Sequence, residues 1–330
     1  MHRTLTAIVF LLALIAGGFA SSLAGAQDAA PEAGKDRPLA DTMGLPELAI
    51  TATADGFEGV PAATAAGRYV VTLTAVPNVE SGAAVEFLML PEDVTFDDFT
   101  AMLAGPPEGE TGASDATPAG GDEQAAPDWY YQTYLAGGVA ADAGFTSQGI
   151  LDLRPGTYVV WAAGDPEAPQ APVEMSVTGD VATPVVGGEP TAGATITMFE
   201  YGFKLDGELT TGPQVIKVAN VGTQPHFAIL LRPGGSVTKE QVGMVLDAEL
   251  AGTPTVDAAA AAGVSNPDEW AFAEYAGTIS TGATEWIAVD LEPGDYVLVC
   301  FTPDIESGLP HAYLGMYDVV TVGDEGTPTA

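Results

Sequence analysis

The sequence feature that most constrains the fold is a motif that occurs once in each half of the chain. Leu-Asp-Leu-Arg-Pro-Gly-Thr-Tyr at 151–158 matches Val-Asp-Leu-Glu-Pro-Gly-Asp-Tyr at 289–296. Further pairs follow the same order: Asp-Gly-Phe at 55–57 with Tyr-Gly-Phe at 201–203, and Asn-Val at 78–79 with Asn-Val at 220–221. Such self-similarity is the signature of a repeated structural unit. We therefore predict two copies of one domain, in residues 46–186 and 187–330.

Short runs of β-branched and aromatic residues, bounded by glycine and proline, predict that each copy is built from strands. The runs lie at 48–52, 69–75, 84–90, 129–134, 149–153, 157–161, 297–299 and 317–322. One short helix is expected in each copy. The first follows Pro91, where apolar residues recur at helical spacing, and the second follows Pro233, where Thr238 and Gln241 have the spacing of a capping box. The prediction is an all-β fold of two tandem β-sandwiches, each with one short helix insertion.

The N-terminal segment predicts export from the cytoplasm. A basic start, an apolar run from Leu5 to Ile15 and small residues at 24–26 are typical of a secretory signal peptide over residues 1–26. Residues 27–45 lack periodicity and are expected to form a disordered linker, and the low-complexity stretch 105–126 a mobile loop. The predicted location is extracytoplasmic, with no membrane insertion after cleavage.

The charge of the chain excludes one class of partner. With 45 acidic and 9 basic residues, the formal net charge is −36, and nucleic-acid binding needs lysine and arginine to neutralise phosphates. An acidic surface suits steering toward a basic patch on a protein partner. A general adaptation of the surface to its surroundings explains the same charge.

Two short segments of the second copy hold the residues that bind soft metal ions. Cys300 is the only cysteine, and of the three histidines His2 lies in the predicted leader, which leaves His226 and His311. Each of these two follows a proline, and Met316 lies five residues after His311. One thiolate, two imidazoles and a weak thioether are the ligands of a blue copper electron-transfer site.

The spacing of these residues resembles that of a known family. Asn-x-Gly-x-x-Pro-His at 220–226, Tyr-x-x-x-Cys at 296–300 and Pro-His-x-x-x-x-Met at 310–316 together resemble the cupredoxins, the group of plastocyanin, azurin and amicyanin. The resemblance implies two Greek-key sandwiches and a single type 1 copper site in the second. It also implies the set of metal ligands: His226, Cys300, His311 and, at the axial position, Met316.

Two details of the site are expected from the same resemblance. The Asn220 side chain should bridge to the cysteine loop. Ten residues separate Cys300 from His311, more than is usual in the family, and the turn-forming residues 304–308 are expected to bulge outward without moving the ligands.

The first copy is predicted to bind no copper. Counting from the shared landmarks, Ala84 occupies the place of His226 and Ala162 the place of Cys300. The vacated end should be filled by apolar packing, to which Trp161 is large enough to contribute.

A copper site with this ligand set has no open position for a substrate, which favours one-electron transfer with a protein redox partner. Multicopper enzymes need further histidines for a second centre, and the predicted mature chain has none, so the chain is predicted not to be an enzyme. Two alternatives stay open: an extracytoplasmic cupredoxin-like binding or structural module, and a copper carrier with no redox role.

Overall fold

A computed structural model describes residues 39, 44–79, 82–104, 128–162, 171–179 and 188–323. The predicted signal peptide, nearly all of the predicted linker and the low-complexity stretch 105–126 lie outside these residues. About half of the described chain is β-strand and helices are few, in agreement with the predicted all-β class. No helix in this part of the chain is long and apolar enough to cross a membrane. The strands of the first half are β1 Glu47–Thr53, β2 Gly56–Glu58, β3 Ala63–Ala65, β4 Gly67–Ala75, β5 Ala83–Met89, β6 Tyr134–Ala141, β7 Thr146–Leu153, β8 Gly156–Ala162 and β9 Val173–Thr178. Those of the second half are β10 Ala194–Phe199, β11 Gly202–Gly207, β12 Gly212–Asn220, β13 His226–Arg232, β14 Ala271–Ile279, β15 Thr284–Leu291, β16 Gly294–Val299 and β17 Tyr317–Val322.

The strands form two large sheets, and each sheet takes strands from both halves. The eight-stranded sheet has the order β11-β10-β12-β15-β7-β4-β1-β2, and the nine-stranded sheet has the order β17-β16-β13-β14-β6-β5-β8-β9-β3. Each half has its own principal hydrophobic cluster, to which strands of both sheets contribute. The arrangement is therefore a pair of layered cores that share two continuous sheets.

The motif used to recognise the repeat makes the same local contact in both halves. The hydroxyl of Tyr158 accepts a hydrogen bond from the backbone N–H of Arg154, and that of Tyr296 accepts one from the N–H of Glu292, both at 3.0 Å. The first strands also match, because β1 pairs in parallel with β4, and β10 in parallel with β12. The motif therefore stabilises the turn before β8 and the turn before β16 by the same hydrogen bond.

The helices differ from the prediction in the second half. The first half has α1 Phe96–Ala104, as expected, but the second half has two helices, α2 Lys239–Leu250 and α3 Thr255–Ala262. The predicted capping box at Thr238 begins α2. After α2 the chain turns at Gly252, whose positive φ of 88° suits glycine, and the alanine-rich run after this turn favours a second helix.

One predicted strand is wrong. Residues Asp128–Gln132 form a short 3-10 turn, and β6 begins only at Tyr134. Trp129 and Tyr130 pack against each other and against the cluster beneath α1. Their large side chains fill the space beneath the helix. The sequence alone does not distinguish aromatic residues used in this way from those of a β-strand.

The two halves meet along β6 and β14 and along β7 and β15. Ala136 pairs with Ile279 across the first contact, and Ile150 with Trp286 across the second. A side chain on Gly277 would collide with the backbone of Gly138. Glycine at this position therefore lets the two halves approach closely enough to continue the sheets.

Two fully buried carboxyl groups cross this junction in opposite directions. Glu86 of β5 accepts hydrogen bonds from the backbone N–H of Thr278 at 2.8 Å, from the Thr278 hydroxyl at 2.7 Å and from the Tyr275 hydroxyl. Glu285 of β15 accepts one from the N–H of Gly138 at 3.1 Å. Burial raises the pKa of both glutamates, and the charge of Glu86 raises that of Glu285 further.

An arginine joins the halves at the edge of the junction. Arg68 forms a two-pronged ion pair with Asp152, at 2.7 and 2.8 Å. Its guanidinium lies 4.4 Å from the ring centre of Trp286, which belongs to the other half. Because a planar guanidinium can pair with a carboxylate and stack on a ring at once, one side chain connects both halves.

Candidate metal centre

The first predicted ligand, His226, is held by the turn between β12 and β13. The Asn220 side chain donates hydrogen bonds to the carbonyls of Gln224 at 2.7 Å and Ile279 at 2.9 Å, and accepts one from the N–H of Gly222 at 2.8 Å. The expected bridge from Asn220 to the cysteine loop is therefore wrong. Because its own turn and β14 use the amide, Asn220 fixes the start of β13, where His226 lies.

Cys300 and His311 lie at the two ends of the segment between β16 and β17. Cys300 directly follows β16, and its backbone N–H donates to the carbonyl of Met316 at 3.2 Å. The His311 N–H donates to the carbonyl of Thr302 at 2.9 Å, where a short 3-10 turn, His311–Leu314, begins. These bonds bring the two side chains to one end of the second core despite the ten residues between them.

The three donor atoms form a triangle of the size that a metal ion requires. The Nδ1 atoms of His226 and His311 lie 3.0 Å apart, and the sulfur of Cys300 lies 4.0 Å from the first and 3.7 Å from the second. A point equidistant from all three atoms falls inside the triangle, at about 2.1 Å from each, close to the 2.0–2.3 Å bonds that zinc makes to imidazole and thiolate. The donor set and its spacing fit a single type 1 copper site, in which two histidines and one cysteine are arranged trigonally.

The protonation states of the two imidazoles and the thiol in the metal-free protein determine how a soft metal ion would bind. Burial, together with the charge of the other ring, lowers the pKa of His226 to about 4, and burial lowers that of His311 to about 4. Both imidazoles are therefore neutral at pH 7. Burial raises the pKa of the Cys300 thiol to about 11, so the thiolate that a soft metal needs forms only as the metal displaces the proton.

The sulfur of Cys300 has polar neighbours that suit a thiolate. The thiol lies 3.3 Å from the hydroxyl of Thr302. Burial raises the pKa of the thiol, and the polar groups around the sulfur, first among them the Thr302 side chain, oppose this effect. Outer contacts of this kind tune a bound metal.

Met316 lies beside Cys300, as the sequence motif requires. It is fully buried in the same hydrophobic cluster as the cysteine, and its N–H donates to the carbonyl of His311 at 2.9 Å. Its role as an axial ligand stays a prediction.

The long loop turns outward at residues 305–307, which are exposed, but it is anchored over the site at Asp304. Asp304 is only 3% exposed, and its carboxylate accepts hydrogen bonds from Tyr201 at 2.9 Å, Gln224 at 2.8 Å and Ser307 at 2.6 and 2.7 Å. The expected outward turn is therefore confirmed for residues 305–307 and wrong for Asp304, because a buried carboxylate must find donors and these donors lie around the site. Both histidines are fully buried.

Sequence reasoning missed Tyr201 and Gln224 as parts of the site. The Tyr201 ring lies edge-on to His311, with 5.5 Å between ring centres. Comparison of the two halves of the sequence identifies Tyr201-Gly-Phe203 only as a landmark of the predicted repeat. The signal in the sequence is that Tyr201 stands where the first half has Asp55. An aromatic residue is unusual in a tight turn such as the one between β10 and β11.

The first half has alanine at both places that correspond to predicted ligands, but the first is Ala83, so the prediction of Ala84 is wrong by one residue. Glu86 pairs with Trp161 as Ile229 pairs with Val299, and three residues before them lie Ala83 and His226. Ala84 is 2% exposed and belongs to the hydrophobic cluster that includes the second core, and Ala162 is half-buried against the first core. Trp161 faces away from that core and packs edge-on against Phe99 of α1. It therefore does not fill the vacated end, because successive side chains of a strand point to opposite faces.

Solved structures similar to this chain include copper proteins, all at low sequence identity. The reduced auracyanin of Roseiflexus castenholzii is 20% identical over 39% of this chain and 94% of its own, with a TM-score of 0.25. Auracyanin A of Chloroflexus aurantiacus, described as a blue copper protein, is 17% identical over 39% of this chain and 99% of its own, with a TM-score of 0.23. The copper nitrite reductase of Nitrosomonas europaea is 12% identical over 86% of this chain and 96% of its own, also with a TM-score of 0.23.

No family model matches the chain, and no curated protein matches its sequence. Because the sequence identities and TM-scores are this low, the assignment of chemistry to the site rests on the geometry of the site alone. The expectation that the chain is not an enzyme stays a prediction.

Proposed function

We propose that this chain carries single electrons through one type 1 copper site in its second half. The observation that carries the proposal is the triangle of His226 Nδ1, His311 Nδ1 and Cys300 sulfur. A bound copper ion would supply the one-electron couple. The chain itself keeps both imidazoles neutral, places the Thr302 hydroxyl 3.3 Å from the sulfur and would supply Met316 as a further, weaker ligand.

Burial of the ligands favours transfer over turnover. His226, Cys300 and His311 are all fully buried, and no second group of three metal-binding side chains occurs among the described residues. A closed site of this kind offers no position for a substrate, which supports the role of an electron carrier without enzymatic activity. A copper carrier would instead need exchangeable coordination.

The surface beside the site suits a protein partner. Phe199, Val221 and Ile305 are exposed and lie on the three loops that surround the two histidines. Exposed apolar groups of this kind mark interaction sites, and the acidic surface would steer a partner with a basic patch. In this proposal the chain works outside the cytoplasm, after removal of residues 1–26.

The two halves are, in this proposal, copies of one domain, of which only the second has the ligands. The shared tyrosine contacts at Arg154 and Glu292 and the matching parallel strand pairs support a common origin. The first half then serves as a scaffold or docking surface.

The test is addition of Cu(II) to the purified chain without its leader. We expect one copper per chain and the intense visible absorption of a Cu–thiolate bond, and a reversible one-electron couple by voltammetry. Cys300→Ser should lose the colour and keep the far-ultraviolet circular dichroism of the folded protein. Copper binding without colour would contradict the proposal and favour a carrier, absence of binding would favour a structural module, and two coppers per chain would refute the assignment of the first half.

A further inference from the structure

The cover over the two histidines consists of three loops that meet at one carboxylate. The turn between β10 and β11 supplies Tyr201, the turn before β13 supplies Gln224, and the loop after Cys300 supplies Asp304. The Asp304 carboxylate accepts from the first two through the same oxygen, Oδ2. The backbone N–H of Ile305 donates back to the side-chain oxygen of Gln224 at 2.8 Å. No other contact in the described part of the chain joins all three loops at one atom.

Tyr201 has a backbone conformation that needs such support. Its φ is +59°, and it is the single described non-glycine residue with a positive φ. For a bulky residue this conformation is costly and persists where surrounding contacts hold it, often at functional sites. Here the ring packs on His311 and the hydroxyl donates to Asp304. These two contacts therefore hold Tyr201 in its strained conformation, with the ring against His311.

The carboxylate is built to stay charged in its buried position. Although burial raises it, the hydrogen bonds from Ser307, Gln224 and Tyr201 hold the pKa of Asp304 well below its usual range. The loop closes on itself as well, since the N–H of Asp304 donates to the carbonyl of Leu309 at 2.8 Å. Removing the carboxylate would leave several buried donors without an acceptor, which disfavours the closed arrangement.

We propose that Asp304 is a positioning residue that keeps this cover closed, so that release of its hydrogen bonds gives reagents, metal ions and chelators access to Cys300 and the histidines. The closed state places Tyr201 against His311, and the open state exposes the ligands while both cores stay folded. Only the part that concerns metal exchange rests on the proposed function.

The first test uses the metal-free protein and its single cysteine. Cys300 is fully buried, so its rate of alkylation by a neutral reagent such as iodoacetamide reports the population of the open cover when opening is fast. We expect Asp304→Ala to raise this rate at least tenfold. Tyr201→Phe, which removes one hydrogen bond and keeps the ring, should raise it less. Asp304→Asn keeps one acceptor oxygen and puts an N–H₂ donor in place of the other, so its rate should lie between those of the wild type and Asp304→Ala.

The matched control is Glu306→Ala. Glu306 lies in the same loop and carries the same charge but is exposed, so its removal should leave the labelling rate within twofold of the wild type. Equal rates in the wild type, Asp304→Ala and Tyr201→Phe would overturn the proposal, as would an equal rise in the control. If circular dichroism shows that Asp304→Ala is unfolded, Tyr201→Phe decides.

The second test measures loss of copper to a chelator in the loaded protein. We expect Asp304→Ala to lose the metal at least tenfold faster than the wild type, with Glu306→Ala unchanged, and an unaltered loss rate would overturn the metal-exchange part. If the wild type binds no copper, the proposed function fails, whereas the labelling test still decides whether Asp304 closes the cover.

Discussion

The buried carboxyl group of Glu285 predicts a stability that falls as the pH rises. In the folded chain burial, together with the charge of Glu86, raises its pKa well above the ordinary value of 4.5. Above pH 4.5 the unfolded chain therefore loses a proton that the folded chain retains. Since stability rises with pH only where the unfolded state binds more protons, the sign here is negative. The contribution of the neutral carboxyl is fully present below pH 4.5 and is lost as the pH approaches the folded pKa.

Glu285→Gln removes this titration with almost no change of shape. The amide oxygen can still accept from the Gly138 N–H, and the amide nitrogen takes the place of Oε1, which has no hydrogen-bond partner in the described chain. While the folded carboxyl stays protonated, one proton corresponds to about 1.4 kcal/mol per pH unit. Between pH 5 and pH 7 the variant should therefore gain stability relative to the wild type, up to a limit of about 2.7 kcal/mol if one full proton is involved throughout. The coupled pair titrates together, so this slope belongs to Glu86 and Glu285 jointly.

The assay is urea unfolding followed by tryptophan fluorescence at pH 5, 6, 7 and 8. Glu58→Gln is the control, because Glu58 is exposed and its replacement removes the same charge from the surface. We expect a difference between the Glu285→Gln variant and the wild type that widens with pH, and a control difference that stays nearly flat. A difference independent of pH, or one that narrows above pH 5, would refute the reasoning.

Two further variants test the site and the junction. Gly222→Ala would place a methyl group 2.9 Å from His226 Nε2, so it should weaken copper binding at least tenfold in a titration. Gly234→Ala is the control, because it has open space around it and should leave the affinity unchanged. Equal copper affinities of the two variants would contradict the packing argument. Arg68→Ala removes a half-buried ion pair and a stacked guanidinium and should lower the free energy of unfolding by about 1–3 kcal/mol. Lys204→Ala removes an exposed ion pair and should lower it by less than about 1 kcal/mol. Both values are measured by urea unfolding, and equal losses would contradict the role given to Arg68.

The sequence predicted the all-β class and the meeting of three ligands because both depend on local signals. Alternating apolar runs and turn residues specify strands, and short motifs specify the residues at the ends of those strands. His226 begins β13 and Cys300 directly follows β16. Since β13 and β16 are neighbours in one sheet, two residues at the same end of adjacent strands must lie close together.

The path of the loop over the site could not be read in the same way. Residues 304–308 have turn composition, which is compatible with an outward or an inward course. The course depends on donors far away in sequence, since Tyr201 and Gln224 are separated from Asp304 by 103 and 80 positions. The bond partners of Asn220 were missed for a related reason. Its side chain can reach several acceptors, and only the three-dimensional arrangement selects Gln224 and Ile279.

The continuity of the sheets explains why the first half can stand without ligands. Ala84, next to the position that corresponds to His226, lies in the hydrophobic cluster that includes the second core, and its partner across β5 and β6 is another buried alanine, Ala140. An imidazole at this position would have to fit into a space packed for a methyl group, and such overpacking costs about 1–3 kcal/mol. A histidine at this position would therefore disturb the junction. Ala84 and Ala140 contribute to the close packing of the two halves, whereas Ala83 and Ala162, at the places of the two predicted ligands, pack against the first core. Apolar packing thus occupies both faces of β5 at the end where the second half has its donor atoms.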